Sequence, residues 1–424
     1  MNDAERIRWF AEARFGLFFH WGLYSLTGRN EWTLNTDCWT FEEYERLADR
    51  FTAENFDPAR WAAVAAEADA RYLVLTSRHH EGFCLFDSKT TDFTTAHRGA
   101  KRDLIAEYVR AVRAAGLKVG LYYSLVDWRF KGAWNHYRYP DSAQAMVEQA
   151  HAQVRELLTN YGPIDLLWYD GASCTDWKWA DQEQMVEFWR SRELDDMAHA
   201  LQPEIVINNR NGLKGDFDTP ERHIEASAAG RSWESCMTID PLSWSHVPHS
   251  PCRRSAAELV QMMLETASGG GNLLLNTGPC PDGSLNPEEV EEILAAGRWR
   301  RRHAEAFHHP RQSDFYTAGR VFGPCGQLAH WIGSDDPRVY YVATRGWTGT
   351  EFRCPRIDGK IASVELLPEK ISVSFHQEEW GVLVIDNLPE EPPDELAVLF
   401  KVTFADPPRV LEIPPREEVI GCPL

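Results

Sequence analysis

Between residue 15 and about residue 300, short runs rich in β-formers alternate with helical stretches of about 10 to 20 residues, and that alternation restricts the fold more than any other feature. The strand candidates are Phe15–Trp21, Tyr72–Ser77, Val119–Leu125, Ile164–Trp168, Ile205–Asn208, Cys236–Ile239 and Asn272–Leu275. Most are apolar on both faces, as a parallel sheet covered by helices requires. Helix starts show at Asp57-Pro58 and at Asn286-Pro287-Glu288-Glu289, and Gly116 closes one helix before the next strand. No GxGxxG follows the first strand, which argues against a dinucleotide-binding fold. The pattern predicts an irregular (β/α)8-type barrel with one irregular or missed unit. After about residue 310 helices give way to short strands with Pro and Gly punctuation: Val339–Thr344, Ile371–Phe375, Gly381–Ile385 and Ala397–Val402. These predict a C-terminal antiparallel β-sandwich, dividing the chain into a barrel over 1–310 and a sandwich over 311–424.

Charge narrows the partners. With 44 Lys and Arg against 64 Asp and Glu, the net charge is −20, which removes the electrostatic basis for nucleic-acid or anionic-membrane binding. The 17 Trp and 13 Tyr offer flat apolar faces with a polar handle, which suit sugar rings as well as cores. The nine Cys are scattered without a CxxC pair, and are expected to be reduced thiols without a zinc site. The N-terminus has no basic n-region followed by an apolar h-region, and no stretch is long and apolar enough to span a bilayer; the expectation is a soluble, cytoplasmic protein.

In a barrel the chemistry belongs at the C-terminal ends of the strands, and here those ends are polar. The first ends in His20-Trp21-Gly22, the second in Ser77-Arg78-His79-His80-Glu81, the third in Tyr122-Tyr123-Ser124, the fourth in Trp168-Tyr169-Asp170-Gly171 and the fifth in Asn208-Asn209-Arg210. A lone histidine at a strand end is more often a hydrogen-bonded scaffold residue than a ligand, but five polar ends together are not explained that way. Asp170 would project into the mouth, where burial and a cation such as Arg210 would fix its charge state. Glu31, Glu221 and Glu234 are further candidate acids. No HExxH, metal cluster or GxSxG is present, so hydrolysis would be run by carboxylates, and two acids in an aromatic-lined mouth suit glycoside hydrolysis.

The segments FGLFFHWGLYSLTGRNEW (Phe15–Trp32), TSRHHEGFCLFDSKTTDF (Thr76–Phe93), GLKVGLYYSLVDW (Gly116–Trp128), DLLWYDG (Asp165–Gly171), WESCMTI (Trp233–Ile239) and GGNLLLNTGPCPDGSLNPEEVEEILAAGRW (Gly270–Trp299) together resemble glycoside hydrolase family 29, the α-L-fucosidases. The resemblance spans nearly the whole barrel in order. It implies a retaining exo-enzyme that removes terminal α-L-fucose from oligosaccharides or glycoconjugates without metal or organic cofactor, and it leaves homo-oligomerisation open. Asp170 matches the nucleophile. His20, Glu31, Trp32, His79, His80, Tyr122, Trp168 and Arg210 match fucose-binding positions, and Trp244 an aromatic near the sugar's methyl group. The acid/base falls on Glu221 first, with Glu234 and then Glu31 as alternatives. The chain departs from the family pattern at Thr33, after the NEW motif, and at Ser243-Trp244-Ser245-His246, which leaves linkage preference open. Rival readings are a related α-glycosidase, such as one acting on α-D-galactosides, and a catalytically silent fucose-binding barrel. Phe315, Tyr316, Tyr340, Tyr341, Trp347, Phe352, Phe375 and Trp380 alternate with apolar residues as core positions do, which favours a structural role for the C-terminal domain over a sugar-binding one.

Overall fold

The computed structural model describes residues 3–173, 178–308, 311–316, 329–344 and 346–411. It separates into two units, the first holding Met1–Arg222, Arg231–Arg254 and Leu274–Leu294, the second His223–Gly230, Ser255–Leu273 and Ala295–Leu424.

The first unit is built on a seven-stranded sheet: β1 (Phe15–Phe19), β2 (Tyr72–Arg78), β3 (Lys118–Ser124), β4 (Leu166–Asp170), β5 (Val206–Ile207), β6 (Glu234–Thr238) and β7 (Asn272–Thr277). Their spatial order is β5-β4-β3-β2-β1-β7-β6. Pairing is parallel from β1 through β5, with Tyr122 opposite Trp168 and Ser124 opposite Asp170. All seven predicted strands are present, shifted by one or two residues at their ends. Sequence supplies the helix caps: the Asp57 side chain accepts from Arg60 N–H ahead of Pro58–Glu67, and Asp103 accepts from Ala106 N–H ahead of Leu104–Ala114.

The irregular unit lies between β5 and β6. Residues 216–222 form no named strand, yet they join the two by isolated parallel bridges, Asn208 to Phe217, Asp218 to Trp233 and Glu221 to Cys236. This segment takes the place of an eighth stave and carries Glu221. The N-terminal helix Asp3–Ala13 adds Phe10 and Ala13 to the interior cluster of Phe18, Tyr72, Tyr122, Trp168, Phe217 and Trp244, and its Arg6 pairs with Asp216.

The second unit contains a five-stranded antiparallel sheet, order β13-β12-β16-β9-β8, and a three-stranded one, order β10-β15-β14. The strands are β8 (Ala329–Gly333), β9 (Val339–Thr344), β10 (Phe352–Cys354), β11 (Ile357–Asp358), β12 (Ile361–Leu367), β13 (Ile371–Ser372), β14 (Ser374–Glu378), β15 (Val382–Asp386), β16 (Leu399–Phe404) and β17 (Arg409–Val410). Trp331, Tyr340 and Val342 from the larger sheet share one core with Phe352, Leu383 and Ile385 from the smaller, which makes a sandwich. Phe315, Tyr340, Tyr341 and Phe352 are buried, and Trp347 and Phe375 pack partly buried against that core. Tyr316 is half-buried and accepts a hydrogen bond from Ala226 N–H, while the Trp380 side chain lies outside the described residues. In the same unit the helix Ala256–Ser268 starts at a capping box between Ser255 and Glu258, and its Ser268 Oγ donates to the Trp331 carbonyl at 2.6 Å.

Cys38, Cys84, Cys236, Cys252, Cys280 and Cys354 are free thiols, and Cys174, Cys325 and Cys422 lie outside the described residues. Among the described residues no helix is long and apolar enough to cross a membrane, and no group of three or more His, Cys, Asp or Glu is placed to hold a metal ion.

Candidate active site

At the C-terminal ends of the strands is a cavity of about 250 Å³ lined by Phe18, His20, Glu31, Trp32, His79, His80, Tyr122, Trp168, Asp170, Ser173, Arg210, Glu221, Cys236 and Trp244. Every residue singled out for the site in the sequence lines it except Glu234. Phe18, Ser173 and Cys236 were not anticipated. For Phe18 the signal was available: it lies two residues before His20 on β1, so the two share a face.

Asp170 ends β4 and keeps 21 % of its side chain exposed. Its Oδ2 accepts from Tyr122 Oη–H at 2.9 Å and lies 3.8 Å from His80 Nε2, while Oδ1 is 3.5 Å from Arg210 Nη1. Burial pushes the carboxyl up, but the Arg210 guanidinium, Gly171 N–H and the Tyr122 hydroxyl together hold it below the usual carboxylate range. It is therefore an ionised, partly open carboxylate at neutral pH. The glycine that follows is required: Gly171 has φ +78°, and a Cβ there would sit 2.7 Å from Ser124 Oγ and 3.1 Å from His80 Nδ1.

Arg210 organises the opposite wall. Nη1 donates to Glu221 Oε2 at 2.8 Å, Nε to Thr219 Oγ1 at 2.7 Å and Nη2 to the Thr219 carbonyl at 3.1 Å. The same Nη1 thus faces both Asp170 and Glu221, so the two oxygens that flank it are separated by no more than the sum of its distances to them. A separation of about 5 to 5.5 Å, which retaining glycosidases use, falls inside that bound. The guanidinium also lies 5.0 Å over the Trp168 ring, and Trp168 stacks on Tyr122 at 5.8 Å.

His20 and His80 are neutral. Burial, then His79, pushes His20 down to about 3, and the same causes hold His80 well below the ordinary imidazole value. Asn276 Nδ2 donates to the Trp244 carbonyl at 2.6 Å, which turns its Oδ1 toward His20 Nδ1 at 2.7 Å. Nδ1 then carries the proton and Nε2 is left as an acceptor. His80 Nδ1 is anchored on Ser124 Oγ at 2.7 Å. The polar end of β2 divides by role: His79 and His80 line the cavity, whereas the fully buried Arg78 donates to the Ser124 carbonyl at 2.5 Å and to Gln153 Oε1 at 2.9 Å.

Glu31 Oε2 accepts from Trp244 N–H at 3.2 Å and Ser243 Oγ–H at 3.3 Å, so the loops after β1 and β6 meet on one carboxylate. Thr33 is buried and bonds Asp37 Oδ2 at 2.9 Å, away from the cavity lining. Trp32 packs on His80 at 5.4 Å, and Trp244 on His20 at 5.1 Å.

Glu234 stands elsewhere. It opens β6, is fully buried in the barrel interior, and accepts from Trp168 Nε1 at 2.9 Å and from the Tyr72 hydroxyl. Burial pushes its carboxyl up to about 7.

The family described as alpha-L-fucosidase matches residues 1–305. Human plasma alpha-L-fucosidase is 31 % identical over 352 residues, covering 72 % of this chain and 70 % of that one. Mouse tissue alpha-L-fucosidase is 27 % identical over 431 residues, covering 93 % and 90 %. Among solved structures, alpha-L-fucosidase isoenzyme 1 from Paenibacillus thiaminolyticus matches with TM-score 0.80 and 29 % identity over 95 % of this chain and 100 % of that one. Thermotoga maritima alpha-fucosidase in complex with a mechanism-based inhibitor matches with TM-score 0.76 and 29 % identity over 93 % and 96 %.

Proposed function

The chain belongs to the α-L-fucosidase family of glycoside hydrolases, and from that premise we propose that it is a retaining exo-α-L-fucosidase in which Asp170 is the nucleophile and Glu221 the acid/base. The observation that carries this reading is the shared Arg210 Nη1, with an ionised Asp170 on one side and Glu221 on the other inside a small cavity. A cavity of about 250 Å³ favours a single terminal sugar over an internal chain segment.

In the first step an Asp170 oxygen attacks C1 of the fucosyl group while Glu221 gives its proton to the departing glycosidic oxygen, leaving a covalent fucosyl ester. In the second, Glu221 takes a proton from water, whose oxygen displaces Asp170 and restores the starting configuration. Tyr122 and Arg210 keep Asp170 ionised and oriented until attack. His20 Nε2 accepts from a ring hydroxyl, with Glu31, His79 and His80 holding the others, and Phe18 and Trp244 provide an apolar wall for the C6 methyl group.

The test compares initial rates on 4-nitrophenyl α-L-fucoside, α-D-galactoside and β-D-fucoside for wild type and Asp170→Gly, with and without azide. The expected pattern is fucoside turnover, lost by at least about 10³-fold in the variant and restored by azide as β-L-fucosyl azide. Preference for the galactoside, or fucose binding without turnover of any fucoside, would overturn the reading. An apolar wall rejects an added hydroxyl by only about 100-fold, so the α-L-galactoside is expected to react about 100-fold more slowly than the fucoside.

A further inference from the structure

Glu234 is a carboxylate buried inside the barrel that the proposed chemistry does not use. Its Oε1 accepts from Trp168 Nε1 at 2.9 Å and its Oε2 from the Tyr72 hydroxyl, so one side chain ties β2, β4 and β6 across the interior. Tyr72 reaches it because β1 leaves room: a Cβ on Gly16 would fall 2.5 Å from the Tyr72 ring. An indole has a single donor, and with that N–H held by Glu234 the ring has little freedom to tilt. Two of the groups that hold Asp170 rest on this ring, Arg210 at 5.0 Å and Tyr122 stacked at 5.8 Å.

Resting on the reading of Asp170 as nucleophile, we infer that Glu234 is a positioning residue: through the Trp168 indole it sets where Arg210 and Tyr122 stand, and through them the ionisation and aim of Asp170. The physical requirement is an acceptor for a buried N–H. An unsatisfied donor in an apolar interior is costly, so without Glu234 the indole turns to find another partner and the groups stacked on it move with it. Gln can still accept from Trp168 Nε1 through its amide oxygen; Met cannot. Besides Trp168 and Tyr72, the charged or titratable groups near this carboxylate are Arg210 and, two residues along β6, Cys236.

The experiment measures kcat and KM across pH for wild type, Glu234→Gln, Glu234→Met and Trp168→Phe, on 2-chloro-4-nitrophenyl α-L-fucoside and on a fucosyl disaccharide, with melting temperatures alongside. Wild-type turnover and azide rescue of Asp170→Gly come first; their failure removes the nucleophile reading itself. Given those, Glu234→Met is expected to lower kcat about 10- to 100-fold, equally on both substrates, and to move the acid limb of kcat/KM upward. Glu234→Gln is expected to recover most of that loss. Trp168→Phe keeps a ring but loses the N–H; it is expected to shift the limb the same way, and it decides the question if Glu234→Met does not fold. An unmoved acid limb in the folded variants would overturn the inference. So would a loss confined to the disaccharide, which would make Glu234 the proton donor.

Discussion

Replacing Tyr122 with Phe removes one hydrogen bond from Asp170 Oδ2 and leaves the ring stacked between His79 and Trp168. A hydrogen bond to a charged group contributes about 1.5–3 kcal/mol, so kcat/KM is expected to fall about 10- to 100-fold, with the acid limb moving up as one of the influences that depress Asp170 is lost. A pH–rate profile of Tyr122→Phe with an unmoved limb would show that Tyr122 does not hold the charge. Asp170's folded value is depressed, so its contribution to stability is present above its unfolded value and lost as pH falls through the folded one. Glu234 runs the other way. Its value of about 7 lies above the reference of 4.5, so between these the folded protein keeps a proton that the unfolded chain releases, and stability falls as pH rises through that window. Urea unfolding of wild type and Glu234→Gln should show their difference changing by on the order of 3 kcal/mol across it, in the variant's favour at the alkaline end. A pH-independent difference would mean that Glu234 ionises freely in the fold. At this scale the sequence could name both acids but not separate them, because height within the barrel decides which one reaches the cavity, and height depends on where β6 begins.

At the scale of elements, the regular staves were legible and the irregular one was not. Runs such as YLVLTS declare themselves because both faces are buried. The segment 216–222 reads DFDTPER, without any strand pattern; isolated bridges and the Arg210 clasp on Thr219 hold it, and both are tertiary. In the sandwich, β12 escaped notice because a register shift between Ile361 and Ser363 breaks its alternation, while β8, β10, β11 and β17 are short or lie beside weakly patterned residues. The clasp yields a prediction. Thr219→Val removes the hydroxyl that accepts from Arg210 Nε and donates to Asn209 Oδ1 at 2.9 Å. It is expected to cost about 1–3 kcal/mol in urea unfolding and, on the proposed reading of Glu221 as acid/base, to lower kcat more for the disaccharide than for the activated aryl fucoside. Equal losses on both substrates would point to the nucleophile side instead.

At the scale of the whole molecule, the second unit gathers pieces that are distant in sequence. Within it, Gln261 Nε2 donates to the Thr344 carbonyl at 3.2 Å and Ser313 N–H to the Ser268 carbonyl at 2.9 Å, tying the helix Ala256–Ser268 to residues beyond 310. A chain cut after residue 310 would leave that helix without these partners, so the truncated protein is expected to melt well below the full chain or to lack a cooperative transition by calorimetry. A truncation with an unchanged transition would show the barrel to be self-sufficient. The seam at 216–222 bears on how such a chain diversifies. Asp170 stands in register with Ser124 on a strand bonded along its length, whereas Glu221 stands on a segment held by isolated bridges and side-chain clasps. Substitutions around the seam are expected to disturb less of the sheet than substitutions beside Asp170. On the proposed reading, with Asp170 as nucleophile and Glu221 as acid/base, changes at the seam are expected to alter how the enzyme handles the aglycone while leaving the attack on the sugar in place.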